Sequence, residues 1–285
     1  MENPFTTYNL WAGLFGGLAL FLFGMDVLTH ALKSAAGDYI KDVLARMTSN
    51  RFLGVATGAL VTAVIQSSSV TTVIMVGFIS AGLMTMAQSV AVIIGANIGT
   101  TITAQILAFN VTKLSLPLIA GGFLVSFTAK GEHLRQSGSI VLGLGLVFFG
   151  MALMSDALYP LRSYPPFIDF MVSMTNPLLG AAVGAGFTAI VQSSSATTGI
   201  LIVMASQGLI GLETAIAIAL GANVGTCVTA SLASIGKPRE AKRAAIVHTL
   251  FNVAGVMLWI GLIPQLAAFA AWISPAAEEL SGMER

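Results

Sequence analysis

Charge is the scarcest feature of this sequence. Of its 285 residues only 9% are charged, while 56% are hydrophobic, whereas a soluble domain usually carries about 25% charged residues. The net charge is +1, and no basic run is dense enough to predict a nucleic-acid partner. A single cysteine, Cys227, excludes an intramolecular disulfide and a thiolate metal cluster. The composition is therefore that of a membrane protein surrounded by the lipid bilayer.

The sequence also lacks the groupings that catalysis needs. No serine has a histidine or lysine at a spacing that would activate it as a nucleophile. No cluster of histidine, cysteine and carboxylate residues could hold a catalytic metal. The sequence therefore argues against an enzyme, and it predicts neither an organic cofactor nor a transition metal.

Long apolar segments are what the sequence has instead. A helix needs about 20 residues to cross the hydrocarbon core of a bilayer, which is ~30 Å thick. Segments of that length, and one shorter segment at 114–129, predict an all-α, multi-pass protein with spans at 10–32, 88–109, 114–129, 138–161, 211–235 and 243–264.

Two further apolar segments, 52–82 and 178–208, carry a polar cluster at their centre. The first contains VIQSSSVTT at 64–72, and the second contains IVQSSSATT at 190–198. As a straight helix, either segment would extend to about 46 Å, well beyond the bilayer. Folded back at the cluster, each gives two half-helices that enter and leave on the same side. We therefore predict two re-entrant hairpins. Two full crossings remain an alternative, because they would leave the number of basic residues on each side of the membrane unchanged.

The sequence repeats itself in two halves. GANIGT at 95–100 falls on GANVGT at 221–226 under a shift of 126 residues, and the same shift superimposes the two QSSS clusters. The repeat predicts two units, 1–129 and 130–285, each with a span, a hairpin, an interrupted span and a further span. Each unit would cross the membrane three times, so the second must be inverted relative to the first. Inverted repeats are a signature of secondary transporters.

The basic residues predict the orientation in the membrane. Ten of the 13 Lys and Arg residues lie within 33–51, 130–135 and 237–243. By the positive-inside rule these segments face the cytoplasm, so both chain ends, including the tail after the last span, are expected to face outward. The expected location is the cell (inner) membrane. Asp26 and Asp156 lie near the ends of spans, and we interpret them as solvated or helix-capping residues.

The hairpin tips predict an anion site. The second half-helix of each hairpin begins at the tip, so its free N–H groups and positive dipole end face the membrane centre beside serine hydroxyls. Two hairpins that enter from opposite faces would bring both tips to one cavity, where they would bind a small oxyanion. The predicted anion ligands are Gln66, Ser67, Ser68, Ser69, Gln192, Ser193, Ser194 and Ser195.

The GAN-x-GT motifs predict a local break in their spans, because glycines flank an asparagine in an apolar segment. Carbonyl oxygens freed by a break, together with neutral side-chain oxygens, suit Na⁺. The predicted sodium ligands are Gln66, Ser69, Thr71, Thr72, Asn97, Thr100, Gln192, Ser195, Thr197, Thr198, Asn223 and Thr226. Two plainer interpretations remain open. The glycines could serve close helix packing, and the Ser and Thr hydroxyls could donate back to the carbonyl four residues earlier.

The doubled pattern of QSSS followed by TT, with GAN-x-GT after each copy, resembles the type II sodium-phosphate cotransporters and their bacterial relatives. The resemblance covers nearly the whole chain. It implies inverted repeats with two re-entrant hairpins, inorganic phosphate bound between the QSSS tips, and Na⁺ as the coupling ion. The alternatives are a sodium-coupled transporter of another small oxyanion or a dicarboxylate, and a phosphate sensor that does not transport.

Overall fold

The described part of the chain consists almost entirely of helices joined by short turns. The structure is a computed structural model that describes residues 7–36, 50–108, 112–164, 166 and 176–274. The α-helices are, in chain order, α1 Thr7–Ala36, α2 Arg51–Ile65, α3 Ser68–Ser80, α4 Met86–Ala108, α5 Ser115–Thr128, α6 Glu132–Leu158, α7 Pro177–Val191, α8 Ser194–Ser206, α9 Leu212–Ala233, α10 Arg239–Trp259 and α11 Ile263–Ile273. The predicted all-α class is confirmed.

Five helical stretches are long and apolar enough to cross a membrane, which makes the chain a multi-pass membrane protein. They match five of the six predicted spans and are Tyr8–Ala35, Met86–Ala108, Glu132–Leu161, Leu212–Ala233 and Arg239–Ile273. The sixth predicted span, 114–129, is the 14-residue helix α5, which is about 21 Å long. The predicted outward-facing tail begins with α11, and its residues after 274 lie outside the described residues, as does most of the predicted cytoplasmic segment 33–51.

Each QSSS cluster interrupts a helix and folds the chain back. The hydroxyls of Thr62 in α2 and Thr71 in α3 hydrogen-bond at 2.9 Å. A straight helix would separate residues nine apart by about 13 Å along its axis, so the chain reverses between them. Thr188 in α7 and Thr197 in α8 make the same contact at 2.6 Å. The two segments are therefore helix pairs that meet at their QSSS clusters.

A left-handed glutamine makes each reversal. Gln66 and Gln192 share φ 58° and ψ 23°, and they are the two non-glycine residues with positive φ among the described residues. This backbone costs about 1–2 kcal/mol in a residue with a Cβ, so the surrounding packing must hold it in place. The next serine caps the following helix, because Ser67 Oγ and Ser193 Oγ each accept from the N–H three residues on, at 3.3 and 3.2 Å.

The GAN-x-GT motifs do not break their helices, so the predicted interrupted spans are wrong. Helices α4 and α9 run through their motifs without interruption. A Cβ on Gly95 would lie 2.1 Å from the carbonyl oxygen of Val55, and one on Gly221 would lie 1.9 Å from that of Ala181. The glycines therefore allow α4 to pack closely on α2, and α9 on α7, as in other membrane helix pairs. Backbone carbonyls in the motifs remain part of the helices.

Alanine at Gly95 or at Gly221 is expected to lower the thermal unfolding midpoint of the purified protein. The added methyl group would force two backbones apart, and overpacking of this kind costs about 1–3 kcal/mol. Gly77→Ala in α3 is the matched control, because a Cβ there meets nothing within 4 Å and alanine favours a helix more than glycine does. Equal midpoints for Gly95→Ala and Gly77→Ala would contradict the close packing.

The relative direction of α1 and α6 follows from the residues that the glycines of α1 face. On α1, Gly13 faces Ala157 of α6 and Gly24 faces Val147, so residue numbers rise along one helix as they fall along the other. Helices α1 and α6 are equivalent under the 126-residue shift, and they pack antiparallel.

Candidate functional site

A polar cavity of about 240 Å³ lies where the two QSSS turns meet α1. All eight predicted anion ligands are on its wall, together with one stripe of α1. The lining residues are Leu22, Met25, Asp26, Thr29, Lys33, Gln66, Ser67, Ser68, Ser69, Val70, Gln192, Ser193, Ser194 and Ser195. The structure thus brings both tips to one cavity, while their roles in binding stay predictions.

The serines on the cavity wall fall into two groups. Ser67 and Ser193 cap α3 and α8, as described above. The others begin the two helices, and their hydroxyls make no hydrogen bond within the described residues; they are Ser68, Ser69, Ser194 and Ser195. The first intrahelical bonds run from the N–H groups of Thr71 and Thr197, so the N–H groups before them have no intrahelical acceptor. Each tip therefore offers hydroxyl and amide donors together.

Four threonines predicted as sodium ligands donate back to their own helices. Thr71 and Thr72 donate to the carbonyls four residues earlier at 3.1 and 2.8 Å, and Thr197 and Thr198 do the same at 3.3 and 2.9 Å. None of the four lines the cavity. The plainer interpretation of back-bonded hydroxyls therefore describes these threonines, which stabilise the first turns of α3 and α8.

The predicted ligands in the GAN-x-GT motifs also lie away from the cavity wall. Thr100 and Thr226 donate to the carbonyls four residues earlier, each at 2.9 Å. Asn97 Nδ2 donates to Asn252 Oδ1 at 3.0 Å and so joins α4 to α10. Asn223 is exposed. These four side chains are therefore not part of the cavity wall, and their role as sodium ligands stays a prediction.

The two tip glutamines differ in what their amide oxygens contact. Thr229 Oγ1 on α9 donates to Gln192 Oε1 at 2.6 Å. Gln66 Oε1 and Thr103 Oγ1 on α4 are both buried, and neither has a hydrogen-bond partner in the described part of the chain. Thr103 is the equivalent of Thr229 under the 126-residue shift. The glutamine and threonine oxygens thus form a hydrogen bond in the second half, whereas their equivalents in the first half have no partner among the described residues.

The surrounding backbones match, so this difference lies in the side chains. A Cβ on Gly99 of α4 would lie 2.4 Å from a carbonyl oxygen of α2 and 2.7 Å from Thr62 Cβ. A Cβ on Gly225 of α9 would lie 2.4 Å from a carbonyl oxygen of α7 and 2.7 Å from Thr188 Cβ. Thr103 therefore occupies on α4 the place that Thr229 occupies on α9. Neither threonine was predicted as a ligand, although the internal repeat aligns them.

Helix α1 brings charged side chains to the cavity. Asp26, Thr29 and Lys33 line it, and their spacing of three and four residues puts them on one helix face. Neither charge forms an ion pair within the described residues. Phe21 is fully buried, and a Cβ on Gly199 of α8 would lie 2.7 Å from its ring, so α1 packs on the second helix pair. This polar stripe was visible in the sequence, but Asp26 was interpreted as a solvated or capping residue and Lys33 as an orientation signal, and Thr29 was not singled out.

Several helices long enough to cross a membrane, together with a cavity lined by hydroxyls, amides and charges, define a multi-pass membrane protein with a polar site. The chain belongs to the Na⁺/Pi-cotransporter family, whose model matches residues 20–156 and 167–275. The family and its named members are transporters and not enzymes.

Curated relatives cover most of this chain. It is 33% identical over 259 residues to "Uncharacterized protein YqeW" of Bacillus subtilis, which covers 90% of this chain and 84% of that protein. It is 29% identical over 267 residues to "Putative inorganic phosphate export protein YjbB" of Escherichia coli, covering 93% of this chain and 49% of that protein. "Sodium-dependent phosphate transport protein 2A" of Rattus norvegicus is 25% identical, and 60% of its length is covered. No solved structure matches the chain.

Proposed function

We propose that this protein is a sodium-coupled secondary transporter of inorganic phosphate in the cell membrane. The observation that carries the proposal is the single cavity whose wall holds both QSSS turns, with four serine residues whose hydroxyls donate to no group among the described residues. Membership of the Na⁺/Pi-cotransporter family supports the substrate and the coupling ion. The names of the relatives YjbB and transport protein 2A support phosphate as the transported anion.

Phosphate suits the donors at the two tips. Helix N-termini bind anions through free N–H groups and the helix dipole, and hydrogen bonds to an ionised acceptor are about twice as strong as neutral ones. The fixed charges of Asp26 and Lys33 on the wall cancel in sum. Phosphate would therefore add net negative charge to the site, and cations that bind beside it would offset that charge. This is the electrostatic basis of coupling to Na⁺.

Re-entrant hairpins agree with the packing of α2 on α4. Gly54 faces Ala91 and Gly99 faces Ala63, so the two helices run parallel. Helix α2 ends two residues after Ala63, whereas α4 continues for nine residues after Gly99, about 13 Å. The tip would thus stop inside the membrane that α4 crosses. The antiparallel packing of the equivalent helices α1 and α6 supports an inverted relation between the two halves.

The sodium positions are expected at the two tip glutamines, each with the threonine of the neighbouring long helix. A buried oxygen without a partner is costly, and two such oxygens among the described residues are Gln66 Oε1, whose residue lines the cavity, and Thr103 Oγ1. Neutral oxygens of amides and hydroxyls are ligands that hard cations prefer. Gln192 and Thr229 supply the equivalent pair, and their mutual hydrogen bond already uses one of the two lone pairs of Gln192 Oε1.

Flux measurements test the proposal directly. Purified protein in proteoliposomes should take up ³²P-phosphate when an inward Na⁺ gradient is imposed, and a K⁺ gradient of equal size should drive no uptake. Excess sulfate or a dicarboxylate should compete weakly with phosphate. Strong competition would instead favour another anion as the substrate, and phosphate binding without sodium-driven flux would favour a sensor.

A further inference from the structure

A mostly apolar groove of about 540 Å³ lies between the end of α9 and α10. Its walls come from the end of α9, the turn that follows, and one face of α10. On α10 the groove begins at Lys242 and continues past Ile246 to Leu250, a distance of about 12 Å along the helix. None of these residues lines the QSSS cavity.

The apolar walls of the groove are open to the surroundings of the protein. Ile235 is 70% exposed, Ile246 56% and Leu250 60%. These residues lie on or beside the stretch Arg239–Ile273, which is long and apolar enough to cross a membrane. In a bilayer, apolar walls that no other helix covers contact lipid acyl chains.

One end of the groove is strongly basic. Between residues 237 and 243 there are four cations and one acid. Arg243 contacts Glu240 at 3.9 Å, and Lys237, Arg239 and Lys242 form no ion pair in the described part of the chain. Gly236, with φ +74°, makes the turn beside Lys242, and nothing lies within 4 Å of where its Cβ would be. A headgroup could therefore approach the backbone closely at this end.

We propose that this groove, formed by α9, its following turn and α10, is a binding site for an anionic phospholipid. The basic end matches a negative headgroup, since clusters of Lys and Arg beside a membrane helix attract anionic lipids. The apolar remainder matches an acyl chain that runs from the headgroup toward the membrane interior. A protein partner would not require a groove that is basic at one end and apolar along the rest of its length. The site does not depend on the proposed transport function.

Native mass spectrometry of the full-length protein tests this site. Phosphatidylglycerol is expected to be retained on the protein more strongly than phosphatidylcholine with the same acyl chains, and glycerol phosphate without acyl chains should not be retained. Lys242→Gln should weaken phosphatidylglycerol binding roughly fivefold, the loss of one favourable charge near a membrane surface. Lys130→Gln, which removes an exposed cation outside the groove, is the matched control and should leave binding unchanged.

A second variant separates the groove from its charges. Thr249→Phe would fill the groove while leaving every cation in place, and it should reduce retention of long-chain phosphatidylglycerol. Equal retention of the two lipids by the unaltered protein would overturn the proposal, as would a preference for phosphatidylglycerol that Lys242→Gln leaves undiminished. A dimer peak that Thr249→Phe abolishes would also overturn it, because a second copy of the chain would then cover the groove.

Discussion

Alanine at Ser68 or at Ser194 is expected to weaken phosphate binding by about ten- to a hundredfold. Both hydroxyls lie on the cavity wall, one at each tip, and neither donates to another group among the described residues. A hydrogen bond to a charged group contributes about 1.5–3 kcal/mol, and each 1.4 kcal/mol is about tenfold in affinity. The dissociation constant of ³²P-phosphate, measured on the purified protein in Na⁺, reports the loss.

The double variant tests whether the two tips form one site. Ser68→Ala combined with Ser194→Ala should cost less than the sum of the single changes, because groups that bind the same ligand in one network do not add. Ser80→Ala is the control at the far end of α3, where the hydroxyl donates to the carbonyl of Val76 at 2.7 Å; it should leave binding unchanged. Fully additive losses would mean two independent sites.

The capping serines should respond differently from the serines at the start of the helices. Ser67→Ala and Ser193→Ala remove the side chains that accept from the N–H groups of Val70 and Ala196. Loss of an N-cap costs about 1 kcal/mol of stability, so these variants should lower the unfolding midpoint as well as the affinity. Ser68→Ala should change the affinity and leave the midpoint nearly unchanged. The two readouts together distinguish a ligand from a cap.

Helix positions and chain reversals were predictable from the sequence because their causes are local. Segments 52–82 and 178–208 are too long for one span and carry their polar residues at the centre, which identifies the turn. The structure places the reversal there, at Gln66 and Gln192. The internal repeat then implied that one tip would have an equivalent, and both reach the same cavity.

The GAN-x-GT motifs were misread because glycine has two opposite uses in a membrane helix. It weakens the helix on its own, yet it also lets a neighbouring backbone come close. Gly95 and Gly221 serve the second use. Which use applies depends on what packs against the glycine, and in this chain the partner is a helix from the same half that lies some 40 residues earlier.

The contribution of α1 was missed for a related reason. Lys33 belongs to a group of basic residues that also fits an orientation signal, and Asp26 lies near the end of the predicted span. Only the packing of Phe21 against Gly199 turns that helix face toward the tips. Sequence periodicity identifies a polar stripe, whereas the site that the stripe faces depends on contacts between distant parts of the chain.

Replacing Thr103 is expected to have the largest effect on the sodium dependence of uptake, whereas replacing the equivalent residue Thr229 should have little effect. Thr103 Oγ1 and Gln66 Oε1 are buried and have no hydrogen-bond partner among the described residues, so a cation that binds them gains two ligands and breaks no hydrogen bond. Thr103→Val removes one ligand at nearly constant shape, and it should raise the half-saturating Na⁺ concentration for phosphate uptake by about ten- to a hundredfold.

Thr229→Val removes a potential ligand together with the 2.6 Å hydrogen bond that occupies Gln192 Oε1. These two losses act in opposite directions on Na⁺ binding, so the half-saturating concentration should change by less than about threefold. Thr103→Ser and Thr229→Ser keep the hydroxyls and should behave like the unaltered protein, which separates the ligand from the packing of the side chain. The contradicting result is an equal shift of the half-saturating Na⁺ concentration in the two valine variants, in a protein whose uptake depends on Na⁺. The two halves would then bind sodium equivalently. The unpartnered oxygens of the first half would give that half no advantage.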